Sequence, residues 1–94
     1  MEIIRKDYGG GGAFIALDQD RGIAEMTYFW QEKDQMVIDH TGVGPEYEGK
    51  GIGTQLFKAA VAFARENGVK IAPDCPFAAA LFIRFPEDKD VLAK

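Results

Sequence analysis

The chain has 94 residues, of which 47% are hydrophobic and 28% charged, and its formal net charge is −4. This composition predicts a single globular domain over residues 1–94, and the acidic balance argues against a nucleic-acid surface, which needs a basic patch. No apolar stretch has the length of a membrane helix, and no signal-like segment opens the chain, so we expect a cytoplasmic protein that does not bind membranes. A single cysteine, Cys75, excludes an intrachain disulfide and a cysteine-rich zinc site, and we expect no metal.

The first 43 residues have the pattern of an antiparallel β-meander. A glycine run at Gly9–Gly12 is interpreted as a flexible loop, and two clusters of turn-forming residues separate the later strands. The predicted strands begin with a short apolar start and are otherwise rich in β-branched and aromatic residues: Ile3–Ile4, Ala13–Leu17, Ile23–Gln31 and Gln35–Val43.

The hydrophobic period changes after Pro45. Apolar residues recur at helical spacing from Ile52, and Asn67-Gly68 supplies a stop signal. A short strand is predicted over Val69–Ala72, followed by a helix that begins near Pro76 and ends before Pro86. The expected architecture is therefore α+β, with the order β-β-β-β-α-β-α and two helices covering one sheet.

The segment "EGKGIGTQL" places three glycines, Gly49, Gly51 and Gly53, at the entrance of the first helix. Unpaired backbone N–H groups and the positive end of the helix dipole meet at such an entrance, which favours an anion such as phosphate. The spacing matches neither the Walker pattern nor the dinucleotide-binding fingerprint. A helix entrance that uses glycines only to turn tightly is the alternative interpretation.

The longer segment "VGPEYEGKGIGTQL", Val43 to Leu56, resembles the acyl-CoA-binding motif of the GNAT acetyltransferase superfamily. The resemblance implies that the glycine-loop amides hold the CoA pyrophosphate and that the preceding strand bonds the pantetheine arm. It implies that Gly51 and Gly53 are required because a side chain there would occupy the place of the phosphates. The implied cofactor contacts are Thr41, Gly42, Val43, Glu48, Gly49, Lys50, Gly51, Ile52, Gly53 and Thr54.

The resemblance extends from Ala13 to Pro86, through "DHTGV" and "PDCPFAAALFIRFPE". These segments are similar to small stand-alone GNAT-like proteins that lack the N-terminal helices of larger enzymes, so the resemblance implies an open acceptor site. Glu48 stands where Arg or Gln is usual, and its carboxylate would repel a pyrophosphate by about 1 kcal/mol when solvated. Glu48 could instead point outward while Lys50 supplies charge.

Cys75 and His40 are the candidate catalytic residues. Cys75 precedes Pro76 at a predicted helix start, where N–H groups favour a thiolate, and the GNAT layout would place it near the acyl group. A small buried core residue is the alternative for Cys75. His40, the only histidine, could act as a general base or form a structural hydrogen bond, and strand alternation places Asp39 on the opposite face unless a bulge intervenes.

The resemblance implies an acyl-CoA-dependent N-acyltransferase, using acetyl-CoA and an amine acceptor of unknown identity. No tyrosine follows Tyr47, so the tyrosine that many GNAT enzymes use to protonate the leaving thiolate has no counterpart here. A non-catalytic acyl-CoA-binding module and an interaction domain are the alternatives. Three consecutive aromatic residues, Tyr28, Phe29 and Trp30, cannot all face inward and could mark a homodimer surface.

Overall fold

The computed structural model describes all residues, 1–94, and has the predicted α+β architecture. Five strands form one sheet in the order β1-β2-β3-β4-β5, with β4 and β5 parallel and the other neighbours antiparallel. Two helices and two short 3-10 turns, at Pro45–Tyr47 and Pro86–Val91, complete the fold. The strands and helices are β1 Glu2–Asp7, β2 Gly11–Asp18, β3 Arg21–Glu32, β4 Gln35–Val43, α1 Ile52–Asn67, β5 Lys70–Pro73 and α2 Pro76–Arg84.

Both helices lie on the same face of the sheet. The rings of Phe57 in α1 and Phe82 in α2 meet edge-on with centroids 4.9 Å apart, and both side chains are fully buried. Alternate residues of the strands, including Met26 and Ile38, complete this core beneath α1. No helix covers the opposite face of the sheet, which is called the outer face below.

The interpretation of Gly9–Gly12 as one flexible loop is wrong, because Gly11 and Gly12 belong to β2. A Cβ on Gly12 would lie 2.0 Å from the carbonyl oxygen of Lys6 and 2.8 Å from the hydroxyl of Tyr28. A Cβ on Gly11 would lie 2.6 Å from the Tyr28 carbonyl oxygen. These glycines therefore permit close approach of neighbouring strands, and only Gly9 needs a positive φ, of 97°.

The three consecutive aromatic residues of β3 divide between the two faces. Tyr28 is buried, Trp30 is half-buried against the core, and Phe29 alone extends over the outer face, with 43% of its surface exposed. Only one of the three aromatic residues is thus available to a partner surface.

The C-terminal segment is fastened to α1 by a set of ion pairs that the sequence did not reveal. Asp88, only 5% exposed, accepts hydrogen bonds from Lys58 at 2.6 Å and Arg65 at 3.3 Å. Arg65 also bonds Asp90, and this guanidinium holds the pKa of Asp90 below its usual value. The chain then forms a parallel bridge from Leu92 to Ile71, which protects the edge of β5.

A second polar cluster joins β1 to β3. One carboxylate oxygen of Asp7 accepts hydrogen bonds from the Tyr28 hydroxyl at 2.7 Å and the Trp30 indole N–H at 2.8 Å. The Tyr28 hydroxyl, with the Gly9 N–H and the Trp30 indole, lowers the pKa of Asp7 below 3.8. Each of these hydrogen bonds favours the ionised carboxylate.

We predict that Asp7→Asn lowers the free energy of unfolding by about 1 kcal/mol at neutral pH, because the partly exposed carboxylate loses its charge-assisted hydrogen bonds. A lowered folded-state pKa gives stability that is complete above the ordinary value of 3.8 and is lost as the pH falls through the lowered value. Urea unfolding of both proteins at neutral pH and in acid measures this. An equal difference at both pH values would contradict the role of the charge.

Candidate functional site

The glycine loop forms an open helix entrance whose backbone groups suit an anion. Gly49 and Gly51 both have φ of 77°, a left-handed conformation that glycine adopts without strain. Gly51 is the N-cap of α1 and supplies no side-chain hydrogen bond to the first turn. The first-turn N–H groups of α1 therefore lack side-chain caps, and they point out of the helix together with the positive end of its dipole.

The strand before this loop separates from its neighbour at the same level. β4 pairs with β5 only from Gln35 to Ile38, and a hydrogen bond of 2.9 Å from the Asp74 N–H to the Ile38 carbonyl closes the last contact between them. From Asp39 to Val43, β4 keeps only β3 as a strand neighbour. Its other edge is open, so its backbone groups can pair with an extended ligand, as in strand addition.

A β-bulge at Asp39 sets which residues of β4 face the helices. His40 pairs with Thr27 and Ile38 with Tyr28, so Asp39 has no direct partner on β3. The extra residue places Thr41 and Val43 on the helix face and His40 on the outer face. The Thr27 hydroxyl donates to the Asp39 carboxylate at 2.7 Å, which fixes the bulged residue on the outer face as well. Asp39 and His40 thus share a face.

A cleft of about 400 Å³ lies between the end of β4, the glycine loop and the start of α2. All of the predicted cofactor contacts except Gly42 and Lys50 line it. Gly42 lies on the outer face, where an added Cβ would be 3.1 Å from Nε2 of His40. The Lys50 ammonium lies 5.9 Å from the centre of the Tyr47 ring, at the margin of the cleft. Glu48 is among the residues that line the cleft, and its side chain is exposed.

Two aromatic residues line the cleft that were not among the predicted contacts. Tyr47 belongs to the 3-10 turn before the loop and donates to Asp18 at 3.2 Å, and burial together with this acceptor raises its pKa. Phe77, the second residue of α2, is 40% exposed, and its ring lies against Gly53 of α1 in the cleft wall. No sequence signal indicated the approach of Phe77 to the glycine loop.

The two glycines for which the resemblance implied one role have different roles in the structure. A Cβ on Gly51 would meet nothing within 4 Å, so Gly51 is required by its backbone conformation and faces open space. A Cβ on Gly53 would lie 2.6 Å from Cζ of Phe77, so Gly53 is required by a protein contact. The Phe77 ring occupies the space that a side chain at Gly53 would fill.

Cys75 lies beneath the cleft, and His40 lies on the other side of the sheet. Cys75 is the N-cap of α2 and is buried, with 6% of its surface exposed. Its sulfur is 3.5 Å from the Thr41 hydroxyl oxygen, and Thr41 itself lines the cleft. The exposed imidazole of His40 has no hydrogen-bond partner in the protein.

No group of three or more His, Cys, Asp or Glu side chains is placed to hold a metal ion. Neither helix has the length and apolar character to cross a membrane.

A sheet with separated parallel strands and a glycine-rich helix entrance beside the gap defines a small acyltransferase fold. The chain belongs to the GCN5-related N-acetyltransferase family, whose model matches residues 13–91. A GCN5-like protein from Staphylococcus aureus, determined by NMR, is 34% identical with a TM-score of 0.70, over 96% of this chain and 87% of that one. No match was found among curated proteins.

More distant structures share the fold. A GNAT family acetyltransferase from Elizabethkingia anophelis with acetyl-CoA bound is 20% identical, with a TM-score of 0.60 over 68% of this chain and 42% of that one. A ribosomal-protein-alanine N-acetyltransferase from Brucella melitensis is 17% identical, with a TM-score of 0.68 over 81% and 62%. This chain is thus much shorter than both enzymes.

We predict that Gly53→Ala destabilises the protein because its Cβ collides with the Phe77 ring. Phe77→Ala removes the collision, so the same Gly53→Ala change made in that background stabilises α1 by about 0.5–1 kcal/mol, the helix preference of alanine over glycine. Urea denaturation of the four proteins in this cycle measures the reversal of sign. Destabilisation of equal size in both backgrounds would show that Phe77 is not the cause.

Proposed function

We propose that the protein is an acyl-CoA-dependent N-acyltransferase that moves an acetyl group from acetyl-CoA to an amine. The observation that carries the proposal is one cleft in which a glycine-rich helix entrance meets an unpaired strand edge. The first feature suits a pyrophosphate, and the second suits the amides of a pantetheine arm. The family membership and the acetyl-CoA bound to the Elizabethkingia anophelis structure agree with this assignment.

In the proposed complex, the loop from Glu48 to Thr54 holds the pyrophosphate through its backbone, and Lys50 adds positive charge at the margin. The side chains of Thr41 and Val43 face the arm. Gly42 contributes only main-chain groups, because a side chain at this position would point towards His40 on the outer face. The arm then runs along β4 towards the point where β4 and β5 separate. The thioester accordingly lies close to Asp39 and Cys75.

The chemical step is the attack of a neutral amine on the thioester carbonyl. The nitrogen lone pair forms the new C–N bond, the C–S bond breaks, and the sulfur leaves with the electron pair. Open amides of β4 would stabilise the developing oxyanion, and the alignment of amine and thioester supplies the remaining acceleration. His40, exposed near the strand separation, is proposed as the base that removes the amine proton.

Cys75 is proposed to serve the leaving sulfur. Its thiol contacts Thr41 in the cleft wall, and Cys75 is the N-cap residue of α2. The thiol can give its proton to the departing CoA thiolate, and it can recover a proton from the amine through solvent. Direct attack of the thiol on the thioester is the other possible role of Cys75, and mass spectrometry distinguishes the two.

A non-catalytic acyl-CoA-binding module is the second candidate. An acidic residue, Glu48, in the cleft lining and the absence of a tyrosine in α2 favour it. The two candidates differ in turnover, because only the enzyme releases CoA faster in the presence of an amine.

We predict that the wild-type protein binds acetyl-CoA and releases CoA in the presence of primary amines. The CoA thiol is detected with a thiol-reactive reagent across a panel of amines. Gly51→Ala should weaken CoA binding at least about tenfold, because it places a Cβ at the phosphate site and strains a positive φ. Gly68 is the matched control, since it has a φ of 67°, ends α1 and also has nothing within 4 Å of an added Cβ.

Gly51→Ala and Gly68→Ala should therefore lose similar stability while only the first loses CoA affinity, as measured by calorimetry. Equal CoA affinity of the two variants would reject the cofactor site. Normal binding by wild type, with no amine-dependent CoA release from any amine in the panel, would select the binding module.

We predict that Cys75→Ala lowers kcat by about tenfold or more, while the KM for acetyl-CoA changes little, because a proton donor acts in the chemical step. Intact mass after incubation with acetyl-CoA alone should show no acetyl group on wild-type Cys75. A stable acetyl adduct, removable by hydroxylamine, would establish covalent catalysis instead. Full activity of Cys75→Ala would leave the residue a purely structural part of the core.

A further inference from the structure

A groove of about 410 Å³ opens on the outer face, on the opposite side of the sheet from the cofactor cleft. Phe29, Val37 and Ala72 form its centre in adjacent positions on β3, β4 and β5. Gln31, Pro73 and Asp74 complete the lining. No helix covers this region, so the groove is open to solvent.

One end of the groove, at Asp74, reaches the level where the strands separate. Asp74 follows the last residue of β5 and forms the last backbone hydrogen bond to β4, and it directly precedes Cys75 in the chain. Asp74 lines the groove on the outer face, whereas Cys75 is buried beside Thr41 of the cofactor cleft. Consecutive residues after β5 therefore face different spaces: Asp74 faces the groove and Cys75 lies beside the cofactor cleft.

The lining has a simple chemical pattern. Val37, Ala72 and Pro73 provide an apolar surface, and Phe29 presents a ring that is 43% exposed. Asp74 is the only ionisable residue among the six, and the ammonium of the neighbouring Lys70 donates to the Asp90 carbonyl in the C-terminal segment. One carboxylate at the end of an apolar, aromatic surface is complementary to one ammonium on an apolar body.

We propose that this groove is the acceptor subsite and that its ligand is a primary monoamine carrying an aromatic or aliphatic body. The inference rests on the proposed transferase function and extends it to the class of acceptor. Asp74 binds the ammonium, Phe29 packs on the apolar body, and the amine reaches the thioester through the gap between β4 and β5. On reaction, the ammonium loses two protons: His40 takes one and passes it to solvent, and the other replaces the proton that Cys75 gives to the CoA sulfur.

The test uses 2-phenylethylamine as the acceptor. Asp74→Asn should raise its KM by about fivefold or more, with little change in the KM for acetyl-CoA, because the lost charge contacts only the amine. Asp74→Glu should restore most of the affinity. Glu66→Gln, the same charge change at an exposed position on α1, is the matched control and should leave both KM values unchanged.

Phe29→Ala should raise the KM for 2-phenylethylamine and affect ethanolamine little, because ethanolamine lacks the apolar body. Unchanged kinetics in both Asp74→Asn and Phe29→Ala would place the acceptor elsewhere. Faster turnover with spermidine or a lysine peptide than with 2-phenylethylamine would overturn the monoamine class.

Binding is also measured without turnover, by amide NMR with CoA present. Titration with 2-phenylethylamine should shift the signals of Val37, Ala72 and Asp74 and leave those of the glycine loop in place. Absence of these shifts overturns the groove assignment even for an active enzyme. Presence of the shifts without amine-dependent CoA release supports the groove and rejects the transferase function.

Discussion

The separation of β4 from β5 is the constraint on which the rest of the site depends. The two strands pair for only four residues, Gln35–Ile38 with Lys70–Pro73, and no further strand fills the gap. Open backbone edges are costly when buried and prone to pairing with other chains when exposed. The open edge of β4 therefore has a physical reason to accept an extended ligand, and the helix entrance at Gly51 offers charge complementarity at the end of the same edge.

Local features with separate causes converge on this gap. The bulge at Asp39 directs Thr41 towards the cleft and leaves His40 on the outer face, while Phe77 closes the space beside Gly53. The ion pairs of Asp88 hold the C-terminal segment to α1, and the Leu92 bridge protects the far edge of β5. The open edge of β4 thus lies at the same place as the cleft beside the glycine loop. The uncovered outer face makes that place reachable from both sides of the sheet.

Much of the fold follows from hydrophobic period and turn chemistry, and the sequence predicted the order of all strands and both helices. The residues of the glycine loop were also predictable, because positive φ values and a helix start without a side-chain cap both require glycines that are visible in the local sequence. Contacts between segments that are distant in the chain give no such local sequence signal. The close approach of Gly12 to Tyr28, the packing of Phe77 against Gly53 and the burial of Asp88 depend on tertiary placement. The bulge likewise depends on the register between two strands, so alternation alone could not place His40 and Asp39 on the same face.

The most direct test of the account is an amide NMR titration of the apo protein with CoA. Large shifts are expected for the loop from Glu48 to Thr54 and for Thr41, Gly42 and Val43, with small shifts in β1 and β2. Thr41 to Val43 should also gain protection from hydrogen exchange, because the ligand pairs with the open edge of β4. Saturable binding that shifts the loop while leaving the exchange of Thr41 to Val43 unchanged would contradict a ligand bound along that edge.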